Sequence, residues 1–357
     1  MLKTRITEKF GIKHPIMLAG MNWLTTPDIV AAVSNAGGLG NLAVSTHTPE
    51  KLRSDIKKIR ELTDQPFAIN QILISPTAKA NIAVAVEEKV PIINYTLGRP
   101  NDITPIIEAV HKYGGKILAT VALARHAMRA AQLGADAVNI TGHEAAAHGG
   151  YATSLILIPL VADGVKVPIL AAGGFHDGRG LAAALVLGAD GVTMGTRFAM
   201  TKECRMHEKW QQVILKASEQ DTIYIDVGDP AVNSRALKTK KAEEAMKKRL
   251  HLLEAFAGAL ETKKVLNISW RELMRSGIST AKSEGGLSLR DQMQYAAQSA
   301  KFNKLIFEGD ENAAILPIGQ VIGGIHDIPT CRELIERTSA QAEAILKSKV
   351  WLEDIKS

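Results

Sequence analysis

The segment from residue 140 to residue 150, "ITGHEAAAHGG", places two histidines and a glutamate among small residues. Imidazole and carboxylate side chains this close together are typical of a metal site or of a site for proton transfer. A zinc-binding helix carries its histidines at positions i and i+4, whereas His143 and His148 lie five residues apart, about 140° around a helix. No cysteine lies nearby to complete a zinc site. The spacing argues against a metal and leaves a flexible linker or the wall of an active site.

The composition of the chain is that of an ordinary globular protein. Its 357 residues are 46% hydrophobic and 22% charged, enough to bury the core of one large or two modest domains. The net charge of +6 is dispersed, and the lysine-rich stretch at 238–249 interleaves glutamates, which favours a solvated helix face over nucleic-acid binding. Cys204 and Cys331 form no metal or redox pattern.

The same features favour a cytoplasmic location. The N-terminal stretch lacks the apolar segment of a signal peptide, and no run is long enough to span a bilayer. We therefore expect a protein that binds small molecules and neither membranes nor nucleic acid. The sequence leaves the oligomeric state open, a homodimer included.

Eight short apolar runs recur every 20 to 30 residues in the first 200 residues, with helix-like stretches between them. Most of the runs are almost continuously apolar, as expected of parallel strands covered on both faces. A GxGxxG turn, which a dinucleotide-binding open sheet would carry after its first strand, is not found there. The pattern predicts an α/β fold, a (β/α)8 TIM barrel, rather than a doubly wound sheet. The runs span 15–21, 38–44, 66–73, 91–97, 115–122, 135–142, 167–174 and 190–196.

Helix signals separate these runs. In "TPDIVAAVSNAGG", Thr26 is a candidate N-cap, Pro27 occupies the first turn and Gly37 follows the last turn. Beyond residue 200 the alternation stops, and the sequence predicts helices at 207–220, 239–260 and 288–302. We therefore predict a barrel domain at 1–203, a mainly helical substrate or lid domain at 204–329, and a last helix at 330–348 that packs back on the barrel.

The carboxyl ends of the strands form the catalytic face of such a barrel. Gly173 and Gly174 follow the seventh run, and Gly195 and Thr196 follow the eighth, where barrels often hold a phosphate with main-chain N–H groups. Taken singly, each is better explained as a glycine that merely ends a strand, but both pairs together favour a phosphate-bearing ligand. The "HEAAAHGG" segment then follows strand six beside that site, and His148 is a candidate base.

At these positions the chain resembles the nitronate monooxygenase family, formerly called 2-nitropropane dioxygenases. These FMN enzymes combine a TIM barrel with a helical domain. The resemblance runs from "FGIKHPIMLAGM" through "AINQIL", "GHEAAAHGG" and the most specific stretch, residues 169–198, to "ILPIGQVIGG". It implies oxidation of an alkyl nitronate, such as propionate 3-nitronate, with O2 to a carbonyl compound and nitrite.

The resemblance also implies roles for individual residues. His148 matches the catalytic histidine, which would remove the α-proton of a nitroalkane. His143 and Gln320 are candidate substrate contacts, although a structural role is favoured for His143. No metal is implied. The residues expected to face FMN are Ala19, Gly20, Met21, Asn70, Thr120, Thr141, Ala146, Ala147, Gly173, Gly174, Gly195 and Thr196.

Two alternatives stay open. Related flavin barrels that reduce quinones with NADH carry a lysine after strand five and an aspartate after strand six, where this chain has Thr120 and Thr141. That difference favours the oxygenase over an NAD(P)H-dependent FMN reductase of quinones or enoyl thioesters. A phosphate-binding barrel without flavin is the remaining class.

Overall fold

The computed structural model describes residues 2–146, 149–225, 233–247, 271 and 301–348. Ala147 and His148 lie outside the described residues, as does the helix predicted at 288–302 up to its last two residues. The helix predicted at 239–260 is described only as far as residue 247. Within the described ranges, no helix combines the length and the apolar character needed to cross a membrane.

Eight parallel strands form a barrel, which confirms the predicted fold class. From β2 to β8 each strand pairs with the next in chain order, and β8 pairs with β1. A parallel bridge between Met17 and Leu39 joins the first strand to the second and closes the ring. All eight predicted runs contain a strand. The strands are β1 Ile16–Leu18, β2 Gly40–Ala43, β3 Phe67–Ile72, β4 Ile92–Thr96, β5 Lys116–Val121, β6 Ala137–Thr141, β7 Ile169–Ala172 and β8 Gly191–Met194.

Helices surround the barrel. The helix predicted in the stretch "TPDIVAAVSNAGG" begins where the sequence analysis placed it. Thr26 occupies the N-cap with an extended backbone and Pro27 is the first helical residue, although the Thr26 hydroxyl makes no capping hydrogen bond. Gly37 follows with φ +85°, a conformation that favours glycine. The barrel helices are α1 Arg5–Phe10, α2 Pro27–Asn35, α3 Pro49–Leu62, α4 Ala78–Glu87, α5 Pro100–Lys112, α6 Ala124–Leu133, α7 Ser154–Gly164, α8 Gly178–Val186 and α9 Thr196–Ala199.

The interior of the barrel begins with an apolar layer at the amino ends of the strands. Helix α1 contributes Ile6 and Phe10 to this layer, and Ile12 follows the helix. All of these side chains are buried, so the amino-terminal end of the barrel is filled by packed hydrocarbon. The strand side of the layer consists of Met17, Leu39, Ala68, Ile92, Leu118, Ala137 and Leu170.

Beyond the barrel, the described residues include a hairpin that the sequence analysis did not anticipate. Strands β9 Thr222–Ile225 and β10 Ser234–Leu237 pair antiparallel, and Leu237 N–H donates to the Leu316 carbonyl at 2.9 Å. The other elements here are α10 Glu208–Lys216, α11 Lys240–Lys247, α12 Phe302–Glu308 and a 3-10 helix at Gln320–Gly324.

The last described helix, α13 Cys331–Lys347, lies against α8 and α2. It begins with a capping box, in which the Thr330 hydroxyl accepts from Glu333 N–H and the Glu333 side chain accepts from Thr330 N–H. The contact with α8 is close, because a Cβ at Gly178 would lie 2.5 Å from the backbone nitrogen of Ala342. Glycine at this position therefore lets the two helices approach each other.

Candidate functional site

A polar layer lies above the apolar one, toward the carboxyl ends of the strands. Side chains on a strand alternate between its faces, so the residue two positions beyond each apolar interior residue also points inward. Most of these positions carry amides or hydroxyls, and of these residues only Asn70 and Thr120 were singled out from the sequence as polar contacts. The positions are Ala19, Asn41, Asn70, Asn94, Thr120, Asn139 and Ala172.

Hydrogen bonds link this layer across four strands. The Thr120 hydroxyl donates to Asn94 Oδ1 at 2.7 Å, and Asn139 Nδ2 donates to the Thr120 oxygen at 3.1 Å. Thr193 on β8 donates its hydroxyl to Asn139 Oδ1 at 2.8 Å. Thr120 is thus held as part of a network, which fixes where its side chain points. Asn41 differs, because both polar atoms of its amide are buried without a described partner.

Gly20 and Asn70, both predicted to face a flavin, meet at the mouth of the barrel. A Cβ at position 20 would lie 2.6 Å from Asn70 Oδ1, so the backbone and the amide can be this close only with glycine. Asn70 Nδ2 donates to the Thr96 hydroxyl at 3.2 Å, which orients the amide. The pair forms one side of the mouth.

The glycines after β7 and β8 form a second side of the mouth. Gly173 and Gly174 have φ values of +113° and +81°, in the region that favours glycine. At Gly195 an added Cβ would meet only the Ala19 Cβ at 3.5 Å and the Met21 sulfur at 3.8 Å. A ligand can therefore approach the Gly195 backbone without a side chain in the way, and the predicted residues that follow β1 and β8 come together here, beside those that follow β7.

The loop after β6 is tied down by Glu144. Both carboxylate oxygens accept from Ser154 N–H, at 3.0 and 3.1 Å, and Oε2 also accepts from the Ser154 hydroxyl at 3.1 Å. The carboxylate thus caps the N-terminus of α7, where a negative charge is stabilising. Thr141, at the end of β6, is buried.

The 3-10 helix closes on the loops after β6 and β8. Gly319 N–H donates to the Thr196 hydroxyl at 2.9 Å, and Gln320 N–H donates to the Glu144 carbonyl at 2.9 Å. A Cβ at Gly319 would lie 3.6 Å from the backbone nitrogen of Ala146. Three residues predicted from distant parts of the sequence, Thr196, Ala146 and Gln320, are therefore neighbours.

The hairpin covers the same loop from outside. The Tyr224 ring lies 4.2 Å from the His143 ring between centroids, and the Tyr224 hydroxyl donates to the Gly149 carbonyl at 2.8 Å. His143 Nδ1 lies 3.2 Å from the Gly150 carbonyl, so the imidazole is held by ring packing and the backbone. Arg235 Nε donates to the His143 carbonyl at 3.4 Å. Tyr224 and Arg235 were not predicted as site residues.

A buried cation lies behind the end of β8. Arg197 is 1% exposed and its Nη2 lies 2.8 Å from Asp327 Oδ1. Burial lowers the pKa of Arg197, and the Asp327 charge opposes that effect. Asp327 also pairs with Arg337 on α13. This ion pair fastens the segment after the 3-10 helix to the barrel.

The described residues contain no group of three or more His, Cys, Asp and Glu side chains placed to hold a metal ion. Among the described residues, the barrel mouth presents main-chain N–H groups at glycines, side-chain amides and hydroxyls, and the alanines of the loop after β6. Such a set suits a flat, phosphate-bearing organic molecule.

The chain is similar to known proteins along most of its length. The family model for nitronate monooxygenase matches residues 3–82 and 71–340. A protein of Rhodococcus jostii (strain RHA1), named (3aS,4S,5R,7aS)-5-hydroxy-7a-methyl-1-oxo-octahydro-1H-indene-4-carboxyl-CoA dehydrogenase, is 36% identical over 344 residues, 96% of each chain. A probable nitronate monooxygenase of Staphylococcus saprophyticus is 33% identical over 278 residues, 64% of this chain and 78% of that protein.

Among solved structures, FabK from Thermotoga maritima is similar over 97% of this chain and 98% of its own, with a TM-score of 0.78 and 32% identity. The similarity therefore extends over the barrel and over the residues that follow it. This chain belongs to the nitronate monooxygenase family and is a flavin-dependent oxidoreductase.

Proposed function

We propose that the chain is an FMN-dependent oxidoreductase that acts on an acyl-CoA thioester. The observation that carries this proposal is the similarity to the carboxyl-CoA dehydrogenase of Rhodococcus jostii over 96% of both chains. The nitronate monooxygenase relative from Staphylococcus saprophyticus matches only 64% of this chain. Loops and appended segments determine which molecules reach the mouth of a barrel. Similarity that extends beyond the barrel therefore supports a similar class of substrate.

The residues at the mouth fit FMN. At Gly195 an added Cβ would contact only Ala19 and Met21, so the glycine backbone there leaves room for a phosphate, and Gly173 and Gly174 follow the neighbouring strand. The unpaired amide of Asn41 and the oriented amide of Asn70 are side chains that can hydrogen-bond to a polar ring or a ribityl chain. Ala19, Met21, Ala146, Thr120 and Thr141 would then be among the residues that hold the ring and ribityl part of FMN, and Thr196 would help to hold its phosphate.

In this proposal FMN supplies a two-electron acceptor for the substrate. The protein's part is to hold the thioester and to take the proton from the carbon beside its carbonyl, whose acidity the carbonyl raises. His148 keeps its predicted role as the base; the prediction rests on the sequence, because His148 lies outside the described residues. The Glu144 carboxylate, bonded to Ser154, holds the start of the loop that carries this histidine.

The predicted domain division belongs to the same proposal. Residues 1–203 would carry FMN, and residues 204–329 would cover the mouth and face the substrate. The hydrogen bonds from Gly319 to Thr196 and from Gln320 to Glu144 support this, because they join the later segment to the loops after β8 and β6. Gln320 and His143 remain the candidate substrate contacts within it.

A second candidate is the oxidation of alkyl nitronates with O2, to a carbonyl compound and nitrite. It is favoured by the family model, which matches from residue 3 to residue 340. The chemistry is related, because a nitro group acidifies the neighbouring C–H bond as a thioester does. A histidine base would serve a neutral nitroalkane, whereas an alkyl nitronate has already lost that proton.

One experiment separates the two candidates. The purified protein is mixed without oxygen with cyclohexanecarboxyl-CoA, and separately with propionate 3-nitronate, while the visible absorbance of the bound flavin is followed. Bleaching by the thioester, with no nitrite formed from the nitronate on admitting air, supports the thioester proposal. Nitrite release without bleaching by the thioester overturns it in favour of the nitronate. A third anaerobic mixture contains NADH alone, and bleaching of the flavin in it would add a nicotinamide as the second substrate.

A further inference from the structure

We propose that Arg235 forms an anion-binding subsite at the barrel mouth, which takes a phosphate group of the CoA part of the substrate. The inference rests on the thioester function proposed above. Arg235 lies on β10 and is 6% exposed, so nearly all of the side chain is removed from water. A cation buried to this degree normally has a carboxylate partner.

Arg235 has no such partner among the described residues. Its Nε donates to the His143 carbonyl at 3.4 Å and its Nη1 to the Thr222 hydroxyl at 3.0 Å, and both acceptors are neutral. Its guanidinium carbon also lies 5.7 Å from the centre of the Tyr224 ring. Arg197, the other deeply buried arginine described above, does have a carboxylate, Asp327 Oδ1 at 2.8 Å. Arg197 thus has the carboxylate partner that Arg235 lacks among the described residues.

Glu144 does not serve as the missing carboxylate partner. The Glu144 charge acts on Arg235 at a distance, but its carboxylate oxygens are bonded to Ser154 and form no ion pair with Arg235 within 4 Å. Nη2 of Arg235 has no described hydrogen bond, and it is not one of the fully buried polar atoms without a partner. Among the described residues, one terminal nitrogen of the guanidinium therefore has no hydrogen-bond partner and remains accessible.

The surroundings hold the guanidinium against the loop after β6. The Arg235 carbonyl accepts from Ile318 N–H at 3.1 Å, so the backbone is held between β9 and the segment that leads into the 3-10 helix. The contact with His143 places the side chain against the loop that begins at the end of β6. An oxyanion at Nη2 would form a charge-assisted hydrogen bond and would compensate a buried charge. Phosphates are the anionic groups of a CoA thioester, which makes them the matching ligand.

The test compares Arg235→Gln with wild type on two substrates that share the acyl-pantetheine part and differ in the phosphates and the adenosine of CoA. Cyclohexanecarboxyl-CoA carries phosphates, and the corresponding pantetheine thioester carries none. We expect KM for the CoA thioester to rise about tenfold to hundredfold, the range for a lost hydrogen bond to a charged group, with kcat nearly unchanged. KM for the pantetheine thioester should stay the same. Arg235→Lys should recover part of the loss because it restores the charge.

Arg129→Gln is the matched control, since it removes the same charge from an exposed position on α6. Thermal melting and flavin content, measured for each variant, identify a protein that has merely lost its fold. Equal changes in KM for both thioesters, or no change for either, would overturn the subsite. So would full activity of Arg235→Gln on the CoA thioester.

A direct binding measurement keeps the subsite testable if neither thioester is turned over. Free CoA and inorganic phosphate are titrated calorimetrically into wild type and Arg235→Gln. Tighter binding of CoA by wild type supports the subsite even though the thioester function has failed. Binding of inorganic phosphate as tightly as CoA would show that free phosphate is the ligand, and equal CoA binding by both proteins would refute the role of Arg235.

Discussion

The hydrogen bond between Thr193 and Asn139 gives a prediction that can be worked out in detail. The Thr193 hydroxyl donates to Asn139 Oδ1 at 2.8 Å, and both residues are buried inside the barrel. Thr193→Val removes the donor with almost no change in volume and leaves a buried amide oxygen unpaired. Such a loss costs about 1–3 kcal/mol, so we expect the free energy of unfolding to fall by about 2 kcal/mol.

Thr338→Val is the matched control. Thr338 is also buried, but its hydroxyl has no hydrogen-bond partner among the described residues. The same exchange of hydroxyl for methyl therefore removes an unpaired polar atom, and we expect no loss of stability or a small gain. Equilibrium unfolding in urea measures the free energy of unfolding of both variants. The comparison requires that this free energy depends on urea concentration with a similar slope in each protein.

A double-mutant cycle adds a second criterion. Asn139→Leu should destabilise by itself, because Thr193 loses its acceptor and Thr120 a donor. Combined with Thr193→Val it should cost less than the sum, by about 1 kcal/mol, since the two positions share one interaction. Equal stabilities of Thr193→Val and Thr338→Val, together with strict additivity in the cycle, would refute the reasoning.

Three further outcomes are expected. Glu144→Ala should lower the melting temperature, since losing an N-cap acceptor costs about 0.5–2 kcal/mol, whereas Glu144→Gln keeps one acceptor and should lose less. Burial lowers the pKa of His14, whose ring nitrogens have no described partner, so stability should fall as the pH drops below about 6.5; a pH series of urea unfolding on His14→Leu should show a flatter profile, and an unchanged profile would contradict this. His148→Ala should abolish turnover while flavin absorbance is retained; equal loss of bound flavin would make this histidine structural.

The barrel itself was predictable because each strand is a short apolar run and helix-like stretches separate the runs, with start and stop signals in cases such as α2. Residues at strand ends, such as Gly174 and Gly195, could be located by counting strands, since the fold places those ends together. Asn94 and Asn139 were missed, because a single polar residue inside an apolar run points inward or outward according to register. That register is set by pairing with neighbouring strands.

Arg235 was missed for a different reason. Its burial comes from the packing of the β9–β10 hairpin on the loop after β6, and that contact joins residues about 90 positions apart. The hairpin strands are only four residues each, too short for their alternation to stand out from the helical sequence around them. The roles of Ala147 and His148 stay predictions from the sequence.

The apolar layer at the amino ends of the strands, which includes Ile6 and Phe10, has a consequence for the kinetics of the enzyme. With that end of the described barrel filled, molecules that react at the polar layer enter and leave at the opposite end. An electron donor and an electron acceptor of ordinary size would then use the same opening in turn. Initial rates measured while both are varied should give parallel lines in a double-reciprocal plot, and a larger first product should slow the arrival of the second reactant.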